Sequence, residues 1–343
     1  MIINITIKKL AQILLLCFTT LPIIAFSEIT VYSFRAEDLI KPALEEFQKQ
    51  SNIQIRLTVA SGSGLLQRLI NEGENTPADI IITNGVDDIV RLKQAGLLGK
   101  IPEITSRKSI FPNLISPDND WVALAVRARV IVYNKNKVVK NNVLTYESLA
   151  DEKFQGKLCA RPSGNSYDPA LIASRIIHFG KSQTEAWLSK IVANFARPPQ
   201  GNDRTQIRDV ANGICSVALV NSYYLGLMLT SSDEKDRELA KSVGVVFPGA
   251  KTKGTHINIA ALTMSKWSKN QAEALQLINF LTSVKTQQWF SKNIFDYPVR
   301  KDVPPSLEVK KLGFPIVYDR LPLEEIGRQI PEAILLLDNA GWR

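Results

Sequence analysis

The sequence predicts a mixed α/β protein of two lobes, joined by crossing β-strands with a ligand cleft between them. Three observations carry this expectation. Short apolar strands alternate with amphipathic helices in two separate series, a β-rich stretch at 121–133 lies between the series, and a second β-like stretch at 255–263 follows the later one. A length of 343 residues allows two cores of ordinary size. The 45% hydrophobic and 22% charged composition excludes a disordered or fibrous chain.

Residues 1–27 read as a secretory signal peptide. Lys8 and Lys9 precede an apolar run over 10–26, and Ala25-Phe26-Ser27 offers the small residues of a cleavage site. The run is short for a membrane anchor, and Cys17 is expected to leave with it. The mature chain then begins near Glu28 and works outside the cytoplasm.

A strand at 28–33 leads to a helix at 38–50 that carries Leu39, Ala43, Leu44 and Phe47 on one face. A strand at 53–59, a helix opened by Ser61-Gly62-Ser63-Gly64 and an apolar strand at 78–82 complete a β-α-β-α-β series, which implies a parallel sheet covered on both faces. A helix at 87–94 ends at Gly96. The stretch 121–133 is expected to carry the chain into the second lobe. There, strands at 157–160, 216–220 and 243–247 alternate with helices at 169–179, 185–191, 204–212 and 223–229. The stretch 255–263 is expected to cross back, helices at 271–282 and 285–291 to complete the first lobe, and a helix at 331–340 to return to the second. The first lobe so comprises 28–124 plus 251–302, and the second 125–250 plus 303–343.

The net charge of +9 falls to +7 when Lys8 and Lys9 are removed. The remaining Lys and Arg are scattered rather than clustered with aromatic residues, which argues against nucleic-acid binding. Cys159 and Cys215 both lie in short apolar runs. A disulfide suits an oxidising compartment, two buried thiols suit the burial, and both readings stay open.

The chemistry concentrates at Tyr223 and Tyr224, directly after the apolar run Cys-Ser-Val-Ala-Leu-Val (215–220). In a continuing strand the two side chains would point to opposite faces. If the strand stops at Val220, Asn221 or Ser222 caps a helix, and both phenols sit in its first turn at the carboxyl end of a buried strand, where open α/β sheets bind ligands. Phenol oxygens there suit a hard, highly charged cation, Fe(III) above all. His178 and His256 lack metal-ligand spacing. No nucleophile elbow or Walker-type loop is present in the sequence.

Several runs occur together in a familiar order: Ile-Thr-Val-Tyr-Ser (29–33), Asn-Thr-Pro-Ala-Asp (75–79), Gln-Ala-Gly-Leu-Leu (94–98), Arg-Ala-Arg-Val-Ile-Val-Tyr-Asn (127–134), Val-Asn-Ser-Tyr-Tyr (220–224), Gly-Thr-His-Ile-Asn-Ile (254–259) and Asn-Ala-Gly-Trp (339–342). With them the mature chain resembles the periplasmic ferric-ion-binding proteins, the substrate-binding components of bacterial ABC iron importers. The resemblance implies a two-lobe periplasmic-binding-protein fold of type II and delivery to an inner-membrane ABC permease. It implies Tyr223 and Tyr224 as iron ligands and Tyr167 as a third. It also places Arg127, with Arg129 beside it, where the family binds a synergistic anion such as carbonate. The chain departs from the pattern in the first lobe, where Ala36 replaces the usual His, Ser63 an occasional Glu and Glu37 a second tyrosine. Glu37 is therefore the candidate first-lobe ligand. The chain is expected to act as a monomeric receptor without catalysis. Two rivals are a receptor for an organic or phosphorylated anion held by Arg127, Arg129 and the Ser61–Gly64 helix start, and a secreted enzyme using Asp168, the one carboxylate that the sequence places near the site.

Overall fold

The computed structural model describes residues 27–60, 62–249, 251–314 and 316–343. The signal-peptide expectation lies outside these residues but for Ser27, as does Ser61. The first series comprises β1 (Glu28–Ser33), α1 (Lys41–Ser51), β2 (Gln54–Val59), α2 (Ser63–Glu72), β3 (Ile80–Ile82) and α3 (Val86–Gln94). Then come the long β4 (Val122–Asn134), β5 (Leu158–Cys159), α4 (Asp168–Phe179), α5 (Lys181–Ala193), α6 (Asp203–Ala211), β6 (Val217–Asn221), α7 (Ser222–Leu229), α8 (Glu234–Ser242) and β7 (Val243–Val246). Finally β8 (Ile257–Met264) is followed by α9 (Gln271–Leu281), α10 (Val284–Asn293), α11 (Leu307–Leu312) and α12 (Leu323–Asn339).

β1 pairs in parallel with β2 and β3, as βαβ connections require. The parallel pairing expected of the first series is so observed, while the crossing strands make the sheet as a whole mixed. β8 is antiparallel to both β3 and β4, and β4 is antiparallel to β6 and β7. A strand that returns beside the one that left can pair with it only in the opposite direction. β4 is buried along its whole length, and its two halves pair with different partners: Val122–Ala128 with β8, and Arg129–Asn134 with β6 and β7. One strand thus belongs to both lobes, and its register sets where each side chain meets the cleft.

The last helix is longer than its sequence suggests. Pro331 reads as a helix start, yet it lies inside α12, which begins at Leu323. The missing Pro331 N–H would have bonded the carbonyl of Gly327. At Gly327 the helix presses so closely on α3 that an added Cβ would meet Val90 Cγ2 at 2.5 Å. α12 also packs on α4, so it contacts helices of both series. Packing of this kind outweighs the local penalty of one proline. α8 and α11 are helices without a counterpart in the sequence reading. Both open on polar caps, Asp233 and Ser306, whose side chains accept backbone N–H groups.

Cys159 and Cys215 form a disulfide across a separation of 56 residues, with Cα atoms 5.7 Å apart. It ties the base of β6 to β5 and so encloses the segment that carries Tyr167. By chain entropy, a loop of this length contributes about 4 kcal/mol. Urea unfolding with and without reductant is expected to show a loss of about that size, and an unchanged midpoint would contradict it.

Candidate metal centre

β6 runs through Asn221, and α7 starts at Ser222, so Tyr223 and Tyr224 fall in the first turn of the helix. Asn221 occupies the cap position in extended backbone, but its side chain makes no cap bond. Its N–H donates to Asp203 at 2.8 Å and its Oδ1 accepts from Arg129 at 3.3 Å. Ser222 Oγ accepts the Ala128 N–H. The strand-to-helix break is thereby pinned to β4. The two tyrosine rings stack with centroids 4.1 Å apart. Tyr223 is buried, and Tyr224 is partly exposed.

Tyr167 arrives from a separate loop. Asn165 Oδ1 accepts the N–H groups of both Tyr167 and Asp168, a turn that sets the entry to α4. It brings the Tyr167 hydroxyl within 3.5 Å of the Tyr223 hydroxyl. The C-terminal Trp342 supports the same loop by donating its indole N–H to the Arg161 carbonyl.

Asn84, just past β3, reaches this cluster from the first series. Its amide donates to the Tyr167 hydroxyl at 3.4 Å, while its Oδ1 and backbone carbonyl accept from Arg127 at 2.8 and 2.7 Å. Asn258 of β8 donates to the Ser166 carbonyl and accepts the Val86 N–H. Residues after β3 and on β8 are therefore in direct contact with the loop that carries Tyr167.

The guanidinium groups of Arg127, Arg129 and Arg161 lie 5.8, 5.9 and 5.4 Å from the Tyr167 ring centre. Burial opposes ionisation of Tyr167. Arg127 and the hydrogen bonds from Tyr223 and Asn84 outweigh it, and hold this phenol below its ordinary value. Tyr223 and Tyr224 are shifted upward, first by burial and then by the neighbouring phenols. Tyr167 is accordingly the first of the three to ionise.

Arg129 does not present its charge to the cleft as the sequence reading had it. It is buried on Asp168 at 2.5 Å and Asp203 at 2.7 Å, and Arg161 pairs with Asp203 as well. These bonds hold the starts of α4 and α6 against β4, which makes Arg129 a positioning residue. They also commit Asp168, which is 0% exposed, leaving the enzyme reading without a free acid or base at that position.

Glu37 is not brought to the phenols. It sits in a 3-10 turn, bonds Lys41 at 2.7 Å and is 54% exposed. The i,i+4 partner on α1 draws it outward. Ser63 instead lines a cavity of about 600 Å³ that opens onto Tyr167 between Asn84, Asp87, Arg91 and Arg161.

Arg35 escaped the sequence reading. It follows β1, is fully buried and pairs with Asp296, while its Nε and Nη1 have no partner. Burial opposes its charge, but Asp296 and then the Tyr223 and Tyr167 phenols hold it. The available signal was an arginine two residues past a buried strand, beside Ala36. Asp87 and Asp88 were also missed. Burial, and then Asp87, pushes Asp88 up to about 8. The folded chain so holds this proton more tightly than the unfolded one. The associated stability is complete below the ordinary value of 3.8 and is lost as pH rises through about 8. Asp88→Asn can still accept the Asn84 N–H, made at 2.9 Å. It is expected to melt higher than the native chain at about pH 8, by a margin that vanishes toward about pH 4. Scanning calorimetry at both pH values checks this.

His256 is buried with neither ring nitrogen bonded, and burial, with Arg129 and then His178 nearby, pushes it down to about 3. His178 bonds Asp319 at 2.9 Å. Among the described residues no group of three or more His, Cys, Asp or Glu could hold a metal ion. The tyrosines are the candidate donors.

Two lobes joined by crossing strands, with phenol oxygens and buried cations between them, define a solute-binding protein of the type II periplasmic-binding-protein fold. The family model described as bacterial extracellular solute-binding protein matches residues 43–314, and the chain belongs to that family. Iron uptake protein A1 of Synechocystis sp. is 34% identical over 316 residues, spanning 92% of this chain and 88% of its own. The ferric binding protein of Campylobacter jejuni has a TM-score of 0.87 at 34% identity, over 92% of this chain and 100% of that one. A Trichodesmium protein in complex with iron and citrate has a TM-score of 0.86 at 38% identity, over 92% and 100%.

Proposed function

We propose that this chain is an extracytoplasmic Fe(III) receptor that captures the ion through Tyr167, Tyr223 and Tyr224. The observation that carries the reading is the 3.5 Å approach of the Tyr167 and Tyr223 hydroxyls, drawn from segments 56 residues apart. Fe(III) prefers anionic oxygen, and three phenolates cancel its charge. A trivalent ion displaces the phenol protons despite the upward shifts of Tyr223 and Tyr224. Because ligands are deprotonated on binding, affinity falls as pH falls. Carbonate or another synergistic anion then meets Arg127, whose Nε has no partner. The relatives named for iron uptake and ferric binding, and the Trichodesmium complex with iron and citrate, support this reading.

In this reading the lobes are 28–124 plus 251–302 and 125–250 plus 303–343, and they close on the ion by hinge motion about β4 and β8. The receptor works as a monomer in the periplasm, catalyses no reaction and delivers its cargo to an ABC permease. Ferric citrate added to iron-free protein is expected to give a visible phenolate-to-iron band that deepens with carbonate. A colourless mixture would overturn the proposal. The organic-anion reading retains one supporting observation, Gly62 and Ser63 lining the same cavity as Arg91 and Arg161. Calorimetric binding of phosphate or citrate without iron would favour it.

A further inference from the structure

Neighbouring side chains on a strand project from opposite faces, and the two crossing strands use both. Arg127 of β4 and Asn258 of β8 contact the groups around the phenols. Their neighbours Val126 and Ile257 line a separate cavity of about 420 Å³ on the other face. Its wall is aromatic and proline-rich, with Phe111, Tyr297, Phe314 and Tyr318 beside Pro304 and Pro305. Phe314 is half exposed at its mouth. The volume falls within the roughly 300–1,000 Å³ of small-molecule sites, which are apolar with few polar groups.

The polar groups at the rim are unequal. Arg300 and Asp302 bond each other twice, at 2.8 and 2.7 Å, and so neutralise one another. Lys301 makes no ion pair among the described residues. It also borders a second cavity, of about 840 Å³, together with Arg107, Lys108, Arg320 and Arg328. Two carboxylates face these cations, Glu103 and Glu324; Glu324 pairs with Arg328 at 3.6 Å and with Lys93, and accepts the Trp121 indole N–H, which leaves Arg107, Lys108, Arg320 and Lys301 against Glu103. An apolar chamber thus adjoins a chamber with an excess of positive charge, and Lys301 stands at their junction.

We propose that this paired site binds an amphiphilic anion, its acyl or aromatic body in the apolar chamber and its carboxylate, phosphate or sulfonate head on Lys301 and the adjoining cations. The proposal is independent of the iron site, since none of its residues contacts the phenols, and Val126 and Ile257 face away from Arg127 and Asn258 on the crossing strands. The probe is the aromatic sulfonate 1-anilinonaphthalene-8-sulfonate, titrated into the full mature chain and read by fluorescence. Saturable binding displaced by decanoate below its micelle concentration is expected. Lys301→Glu and Phe314→Ser are each expected to weaken it about tenfold or more, with unaltered melting. No saturable signal, or equal affinity in both variants, would overturn the proposal. Co-sedimentation with phosphatidylglycerol and with phosphatidylcholine vesicles separates the sources. Retention on phosphatidylglycerol alone, lost in both variants, assigns a membrane lipid. Displacement by decanoate without vesicle retention assigns a free amphiphile.

Discussion

Replacing Tyr223 and Tyr224 together by phenylalanine is expected to remove the visible iron band and to weaken Fe(III) binding far beyond about a hundredfold. That figure is the upper range for substitutions outside the immediate ligands of a metal, and here the donors themselves are lost. The change removes two phenol oxygens and little else. The rings, stacked at 4.1 Å, keep their packing, and no buried backbone group loses its partner. Tyr223 hydroxyl bonds only its counterpart on Tyr167, at the long distance of 3.5 Å. The melting temperature should therefore stay close to that of the native chain. A variant that melts normally but still colours with ferric citrate would sink the ligand assignment. Tyr167→Phe alone should weaken binding less, since the pair on α7 remains.

The second large effect is on stability. Arg129→Met is expected to cost about 3–5 kcal/mol, because it leaves Asp168 and Asp203 buried without their main cation. Both carboxylates are 0% exposed, so water cannot replace the guanidinium. Arg161 still reaches Asp203, and Asn165 still donates to Asp168 at 2.9 Å. Neither supplies the two-sided bridge between α4 and α6. A loss of this size is a large part of the roughly 5–15 kcal/mol that holds a domain folded. Arg129→Lys should recover only part of it, because one ammonium cannot match a planar fork serving two carboxylates. Urea unfolding measures both variants. A cost below about 1 kcal/mol would show that the network is dispensable.

Much of the architecture was legible because it depends on local pattern. The strand at 28–33 coincides with β1, and the break after the apolar run ending at Val220 falls within one residue of the end of β6. Buried strands with helices between them leave a strong periodic signature. The failures share another cause. The long α12 was read as starting at Pro331, since the contact of Gly327 with α3 is invisible in the chain order. Glu37 looked like a ligand by position, but Lys41, four residues on, holds it outward. Arg129 looked like an anion site beside Arg127. Two residues apart on β4, both leave from the same face, but one position meets Asn84 and the other, further along the strand, meets Asp168 and Asp203.

The sequence alone determined the ingredients: two α/β series, the stretches that cross between them, and two adjacent phenols at the end of a buried strand. Tertiary structure alone decided what surrounds those phenols. Tyr167 arrives from a loop, Asn84 from the end of β3, Arg127 from the middle of β4 and Arg35 from beyond β1. The physical reason is that strand periodicity states which side chains share a face, while pairing between distant strands decides which faces meet. The tyrosine pair could be read from its own neighbours, whereas its electrostatic surroundings depend on registers set far away in the chain.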